Sequence, residues 1–140
     1  MNSNVELKEI LLSSKTIASV GLSSNPSKAS FGIAQYLKDQ GYRVIPVNPT
    51  ATEIIGEKVY PDLLSISEKV DVVQIFRKSE DVPPVVDEAI KIGAKVIWMQ
   101  EGISHEESAQ KARATGIKVV MNACMRSAHR ALIGPKLMKL

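Results

Sequence analysis

Short apolar runs alternate with segments of helical spacing along most of the chain. Ile17–Val20, Tyr42–Val47, Asp71–Phe76, Lys95–Met99 and Lys118–Met121 are rich in β-branched residues and bounded by Gly, Pro, Asn or Ser, which predicts strands buried on both faces. Between them the apolar positions fall mostly three and four apart: Phe31, Ile33, Ala34 and Leu37 after the first run, Val86, Ala89 and Ile90 after the third. That spacing predicts amphipathic helices. Residues 5–14, with Val5, Leu7, Ile10 and Leu11 on one side, predict a further helix ahead of the first strand. Gly41, Gly93 and Gly116 stand where helix stops are expected, and Ser104 with Glu107 has the spacing of a capping box. Segment 50–67 is less regular. A helical turn is expected over Glu53–Gly56, an extended piece over Glu57–Tyr60 and another turn over Asp62–Ile66. The tail from Arg126 to Leu140 reads as a helix broken near Gly134-Pro135.

Alternating strand and helix predict a mostly parallel five-stranded sheet with helices on both faces, three layers in all. The expected strand order is 3-2-1-4-5 or close to it, with a ligand crevice at the carboxyl ends of the first and fourth strands. Pro46 lacks a ladder N–H and argues for a strand end or an edge.

At 140 residues, 44% hydrophobic and 24% charged, the chain suits one globular domain over 1–140. No apolar run has membrane-spanning length, and Glu6, Lys8 and Glu9 interrupt the region where a signal peptide would need an apolar stretch, so a cytoplasmic location is expected. Lys and Arg number 18 against 15 Asp and Glu, a net charge of +3, with the signs interspersed and aromatics at only 4%. That balance suits a small anionic ligand and argues against nucleic acid. Cys124 is the single cysteine, and His105 and His129 are the only histidines. A disulfide within the chain is excluded and a metal site is not expected.

The chemistry concentrates in Thr16–Leu37, TIASVGLSSNPSKASFGIAQYL. A strand enters a Gly/Ser loop and then a helix, for which Ser27 or Ser30 is the expected cap. Backbone N–H groups at such a helix start favour a phosphate, although the same residues also make an ordinary βα connection. The dinucleotide fingerprint is absent, because Ser23 and Pro26 stand where glycines would be required and Asn48-Pro49 replaces the acid after the second strand. Cys124 and His129 are five apart with no evident orienting acid, which disfavours a Cys-His hydrolase.

Four segments, VGLSSNPSKAS (Val20–Ser30), GYRVIPVNP (Gly41–Pro49), IFR (Ile75–Arg77) and WMQEGI (Trp98–Ile103), resemble those of small stand-alone coenzyme A-binding proteins. That family is related to the CoA-binding domain of the succinyl-CoA synthetase α subunit, and the resemblance covers nearly the whole chain. It implies an open Rossmann-like domain holding coenzyme A. On that resemblance Gly21, Ser23, Ser24 and Ser30 cradle the pyrophosphate and Lys28 neutralises a phosphate. Val47, Asn48, Pro49 and Phe76 wall the adenine and ribose, and Arg77 reaches a phosphate oxygen. Gln100, Glu101 and Gly102 border the pantetheine arm or pyrophosphate, and Cys124 is a candidate redox thiol near the CoA sulfur. The implied function is a non-catalytic carrier, sensor or regulatory module for CoA or an acyl-CoA. The alternatives are a CoA-dependent acyl-transfer or ligase-type enzyme acting with a partner, and an NAD(P)-binding redox sensor. An exposed apolar tail at Leu132, Ile133, Leu137, Met138 and Leu140 would suit a homodimer.

Overall fold

In a computed structural model that describes residues 2–135, each of the five apolar runs forms a strand of one main sheet. In chain order the elements are α1 (Asn4–Ser13), β1 (Thr16–Val20), α2 (Ala29–Asp39), β2 (Arg43–Val47), β3 (Glu53–Ile54), β4 (Glu57–Lys58), β5 (Val72–Ile75), α3 (Val82–Lys91), β6 (Val96–Met99), α4 (Glu106–Ala114), β7 (Lys118–Val120) and α5 (Met125–Leu132). The five long-range strands form one parallel sheet of order β2-β1-β5-β6-β7. The fold is α/β and Rossmann-like.

Alternate residues of each strand enter opposite layers. Ile17, Val44, Val72, Val96 and Val120 pack with Ile10, Leu37 and Met125 of α1, α2 and α5. Ala18, Ile45, Val73, Ile97 and Val119 pack with Val86, Ala89 and Ala109 of α3 and α4. Successive crossovers therefore leave the sheet on opposite sides at β1 and β5, which opens a crevice between their carboxyl ends.

In order along the sheet the structure differs from 3-2-1-4-5 in one step: the third long strand, β5, pairs with β1 and does not lie beyond β2. The outer edge of β2 is taken by the chain at Tyr60, whose N–H donates to Pro46 O at 3.0 Å and whose carbonyl accepts from Asn48 N–H at 3.0 Å. Pro46 has no N–H to offer on that edge, so a full strand there would lack a bond. The crevice thus lies between the first and third long strands, not the first and fourth.

Two local expectations also change. Glu53–Gly56 is not a helical turn, whereas Glu57–Lys58 is extended as expected, and together Glu53–Lys58 form an antiparallel hairpin. Its two turn residues, Ile55 (φ 51°) and Gly56 (φ 74°), are both left-handed, as a two-residue hairpin turn requires. For a β-branched residue that is strained; Lys38 Nζ donates to Ile55 O at 2.6 Å and the Ile55 side chain is buried. The N-cap of α4 is His105, whose Nδ1 accepts from Ser108 N–H at 3.1 Å, one residue later than Ser104. At the other end of the chain α5 closes at Leu132, and Leu137, Met138 and Leu140 lie outside the described residues. Among the described residues, no helix is long and apolar enough to cross a membrane.

The amino end of the sheet is tied by Asp71. Its Oδ2 accepts from the N–H groups of Lys15 at 2.9 Å and Thr16 at 3.0 Å, and Lys95 Nζ stands 3.6 Å from Oδ1. Burial works to raise the carboxyl pKa, but the two N–H bonds and the Lys95 charge outweigh it and hold the group below its ordinary value. The unfolded chain therefore binds that proton more readily, so Asp71 contributes stability above its unfolded pKa and loses it as pH falls through the lowered folded pKa. Asp71→Ala is expected to cost about 1–3 kcal/mol at neutral pH, from two orphaned N–H groups. In urea titrations the gap between variant and wild type should narrow as pH drops through the carboxylate range; a gap constant with pH would refute the assignment.

Candidate functional site

Gly21 leaves β1 with φ 84° and donates its N–H to Val47 O at 3.0 Å. A Cβ at this position would stand 3.3 Å from Arg77 Cδ and 3.4 Å from the Phe76 carbonyl carbon. Glycine is thus needed both for the turn and for the exit of β5 to lie across it. The loop then closes on itself. Ser23 N–H donates to Ser30 Oγ at 3.1 Å, Asn25 N–H to Ser23 Oγ at 3.0 Å, and Asn25 Oδ1 accepts from Ser27 N–H at 3.0 Å and Ser27 Oγ at 2.9 Å.

Neither Ser27 nor Ser30 caps α2. The N-cap is Lys28, which gives no side-chain bond to the helix. Among the described residues the N–H groups of Ala29 and Ser30 have no partner, and they open at the positive end of the α2 dipole. Ser24 and Lys28 are exposed at the rim.

Asn48 ties this loop to the β2 exit. Its Nδ2 donates to Leu22 O at 3.0 Å, while Oδ1 accepts from Thr50 N–H at 2.9 Å, Thr50 Oγ1 at 3.0 Å and Ala51 N–H at 3.1 Å. Val47 is buried and Pro49 is exposed beside it.

Two cavities of about 240 Å³ each flank the crevice. One, on the α2 side, is lined by Ala29, Ser30, Phe76, Gln100, Glu101 and Cys124, among others. The other, on the α3 side, has Val20, Val47, Leu63 and Arg77 in its wall. Phe76 and Arg77, consecutive at the β5 exit, form the crest between them. The expected site residues thus gather at one end of the sheet. Larger openings, about 470 Å³ at the strand amino ends and about 950 Å³ along the β7 edge, lie away from the α2 terminus.

A buried polar row fixes the floor. Ser19 Oγ donates to Gln74 Oε1 at 2.7 Å, Gln74 Nε2 to Gln100 Oε1 at 3.1 Å, and Gln100 Oε1 also accepts from Met125 N–H at 3.0 Å. Gln74 was not singled out as a site residue, though a glutamine inside DVVQIF was a visible signal. Gly102, at φ 84°, donates its N–H to Asn122 Oδ1 at 2.7 Å and so joins the exits of β6 and β7.

Cys124 is the N-cap of α5. Burial works to raise the thiol pKa, but the N–H and hydroxyl of Ser127, the Gln100 side chain and the Arg126 N–H outweigh it and lower the value. Ser127→Ala is expected to move the pH midpoint of Cys124 alkylation by iodoacetamide upward. An unmoved midpoint would mean that the hydroxyl does not stabilise the thiolate.

Comparison with known proteins gives a coherent picture. A family model for a CoA binding domain matches residues 15–130. The uncharacterized protein YneT of Bacillus subtilis is 42% identical over 127 residues, covering 91% of this chain and 94% of that protein. The solved structure of a hypothetical protein from Pyrococcus horikoshii superposes with a TM-score of 0.92 at 39% identity, over 95% of this chain and 94% of the other. An ADP-forming acetate–CoA ligase, ligase II of Archaeoglobus fulgidus, is 35% identical over 95 residues. That match covers 66% of this chain but only 14% of the ligase.

Proposed function

The chain belongs to the CoA-binding domain family, and from that premise we propose that it holds coenzyme A across the carboxyl ends of β2, β1, β5 and β6 as a non-catalytic carrier, sensor or regulatory module. The observation that carries this reading is the uncapped start of α2, where Ala29 and Ser30, whose N–H groups are open, line a cavity directly after the Lys28 N-cap. Coenzyme A is a long ligand with an apolar-faced base at one end, a thiol at the other and phosphates between. Two small cavities separated by a crest suit such a ligand better than one deep pocket would.

In this reading Gly21, Ser23, Ser24, Lys28 and Ser30 surround the pyrophosphate, with donation from the backbone and a point charge from Lys28. Val47, Pro49 and Phe76 supply apolar walls for the adenosine end, and Asn48 acts by fixing the Leu22 carbonyl and not by touching the sugar. Arg77 donates to a phosphate from its position over Gly21. Gln100, Glu101 and Gly102 border the pantetheine arm, and Cys124 lies at its thiol end.

A binding role without catalysis is supported by the state of His129. Its Nδ1 lies 2.8 Å from Tyr36 Oη and its ring meets Tyr36 and Tyr42 edge-on, so that nitrogen is engaged with Tyr36. The ligase activity of the archaeal relative belongs to a protein of which this chain matches a small part.

Calorimetry of the ligand-stripped protein against coenzyme A, dephospho-CoA, acetyl-CoA and NAD tests the reading. Coenzyme A should bind, Arg77→Met should weaken it about tenfold, the scale of one charged hydrogen bond, and acetyl-CoA should match coenzyme A if the thiol end is not read. Binding of NAD alone would overturn the proposal. The thiol assignment has its own test. With diamide as oxidant, Cys124 and the CoA thiol each lose a hydrogen, the S–S bond forms, and diamide takes up both electrons and both protons. Intact mass should rise by one coenzyme A less two hydrogens, and Cys124→Ser should abolish the gain.

A further inference from the structure

Arg126 carries the one buried side-chain nitrogen or oxygen among the described residues that has no hydrogen-bond partner, its Nε. No carboxylate pairs with its guanidinium among the described residues. A guanidinium cannot shed its charge to escape that situation, and buried donors in native proteins are nearly always satisfied. The surroundings are nevertheless shaped to hold it. Gly32 interrupts the interior of α2, where glycine is unfavourable, and a Cβ there would stand 3.4 Å from Arg126 Nη1. The same device occurs at the crest, where Arg77 lies over Gly21.

The charge is also on the wrong helix end. Arg126 is in the first turn of α5 and Lys28 is the N-cap of α2, each at the positive end of a dipole, with no acidic residue in either first turn. By contrast α1 carries Glu6 there, and α4 carries Glu106 and Glu107. The α2 cavity has Glu101 as its one carboxylate, and that comes from the β6 exit and not from either helix.

We propose that Arg126 is an oxyanion-binding residue of this site. With Lys28 and the open N–H groups of Ala29 and Ser30, it receives the pyrophosphate of the ligand. The inference rests on coenzyme A being that ligand, and it adds a contact that the loop motifs do not contain. Arg126 supplies a fixed charge between the starts of α2 and α5, and an oxyanion there gives its buried donor an acceptor.

The test compares wild type, Arg126→Met and Arg126→Lys by calorimetry with coenzyme A and dephospho-CoA, alongside thermal melting of the ligand-free proteins. Arg126→Met should weaken both ligands by the same factor, about tenfold or more for a lost charged hydrogen bond, with Arg126→Lys intermediate. Ligand-free Arg126→Met should melt no lower than wild type, because the variant removes an unpaired donor. Unchanged affinity would overturn the proposal, as would a loss seen with coenzyme A and absent with dephospho-CoA, which would move the contact to the 3′-phosphate. A marked drop in ligand-free melting would make the role structural and also overturn it. Should wild type bind no coenzyme A, the functional reading fails by itself. Inorganic pyrophosphate then decides the inference: stabilisation of wild type that Arg126→Met abolishes sustains the oxyanion site, and no stabilisation discards it.

Discussion

The row of hydrogen bonds from Ser19 through Gln74 and Gln100 to Met125 N–H holds the ligand end of the molecule in place. Ser19 and Gln74 are wholly buried and Gln100 nearly so, on a sheet face otherwise filled by Ile, Val and Trp. Such a network is costly if any member is left unsatisfied and specific if all are met. Donation converges from two sides: the β1 hydroxyl donates to Gln74, and Gln74 Nε2 and the first-turn Met125 N–H of α5 both donate to Gln100 Oε1. A shift in the register of β1, β5 or β6 would break it. The same bonds that fix the sheet therefore set where α5 begins, and with it the positions of Cys124 and Arg126 relative to α2.

The two ends of the sheet are built on opposite rules. At the amino end Asp71 satisfies two N–H groups and pairs with Lys95. At the carboxyl end α2 begins without a capping side chain, although Ser27 and Ser30 are within a residue or two of the right place. A serine cap is worth about 1 kcal/mol. Ser30 Oγ instead accepts from Ser23 N–H, so the loop gains rigidity while the first-turn donors stay open. Departures from local stability rules that cluster at one end mark the functional end of a fold.

Much of this was legible in the sequence because strand and helix periods are local properties. The five runs, their parallel pairing and the Gly/Ser loop before α2 follow from patterning. What escaped depends on contacts between distant residues. Pro46 argues for a strand end or an edge at β2, yet only the pairing of Tyr60 with Pro46 and Asn48 shows that the third long strand does not lie beyond β2. The hairpin at Glu53–Lys58 was hidden because Ile55 adopts a left-handed conformation that its own side chain opposes, held there by Lys38. Arg126 stands out in the sequence only as the start of the tail helix, since nothing nearby in sequence shows that it lies over Gly32.

Composition understates the electrostatics for the same reason. A net charge of +3 with interspersed signs describes a nearly balanced surface, but the arginines are not distributed evenly in what they meet. Of the five arginines in the chain, Arg43 at the start of β2 pairs with Glu57 and Glu68, and Arg113 near the end of α4 pairs with Glu106. Arg77 and Arg126 lie over glycines next to the crevice, and Arg130 stacks 4.8 Å from the Tyr36 ring centroid, none of them on a carboxylate among the described residues. Direct ion pairs thus tie up Arg43 and Arg113, while Arg77 and Arg126 keep their guanidinium groups off carboxylates, although Asp62, Asp81 and Glu88 line the α3-side cavity with Arg77 and Glu101 lines the α2-side one. The field felt by an anion approaching the carboxyl ends is set by this local arrangement of charges and by two helix dipoles, not by the whole-chain sum.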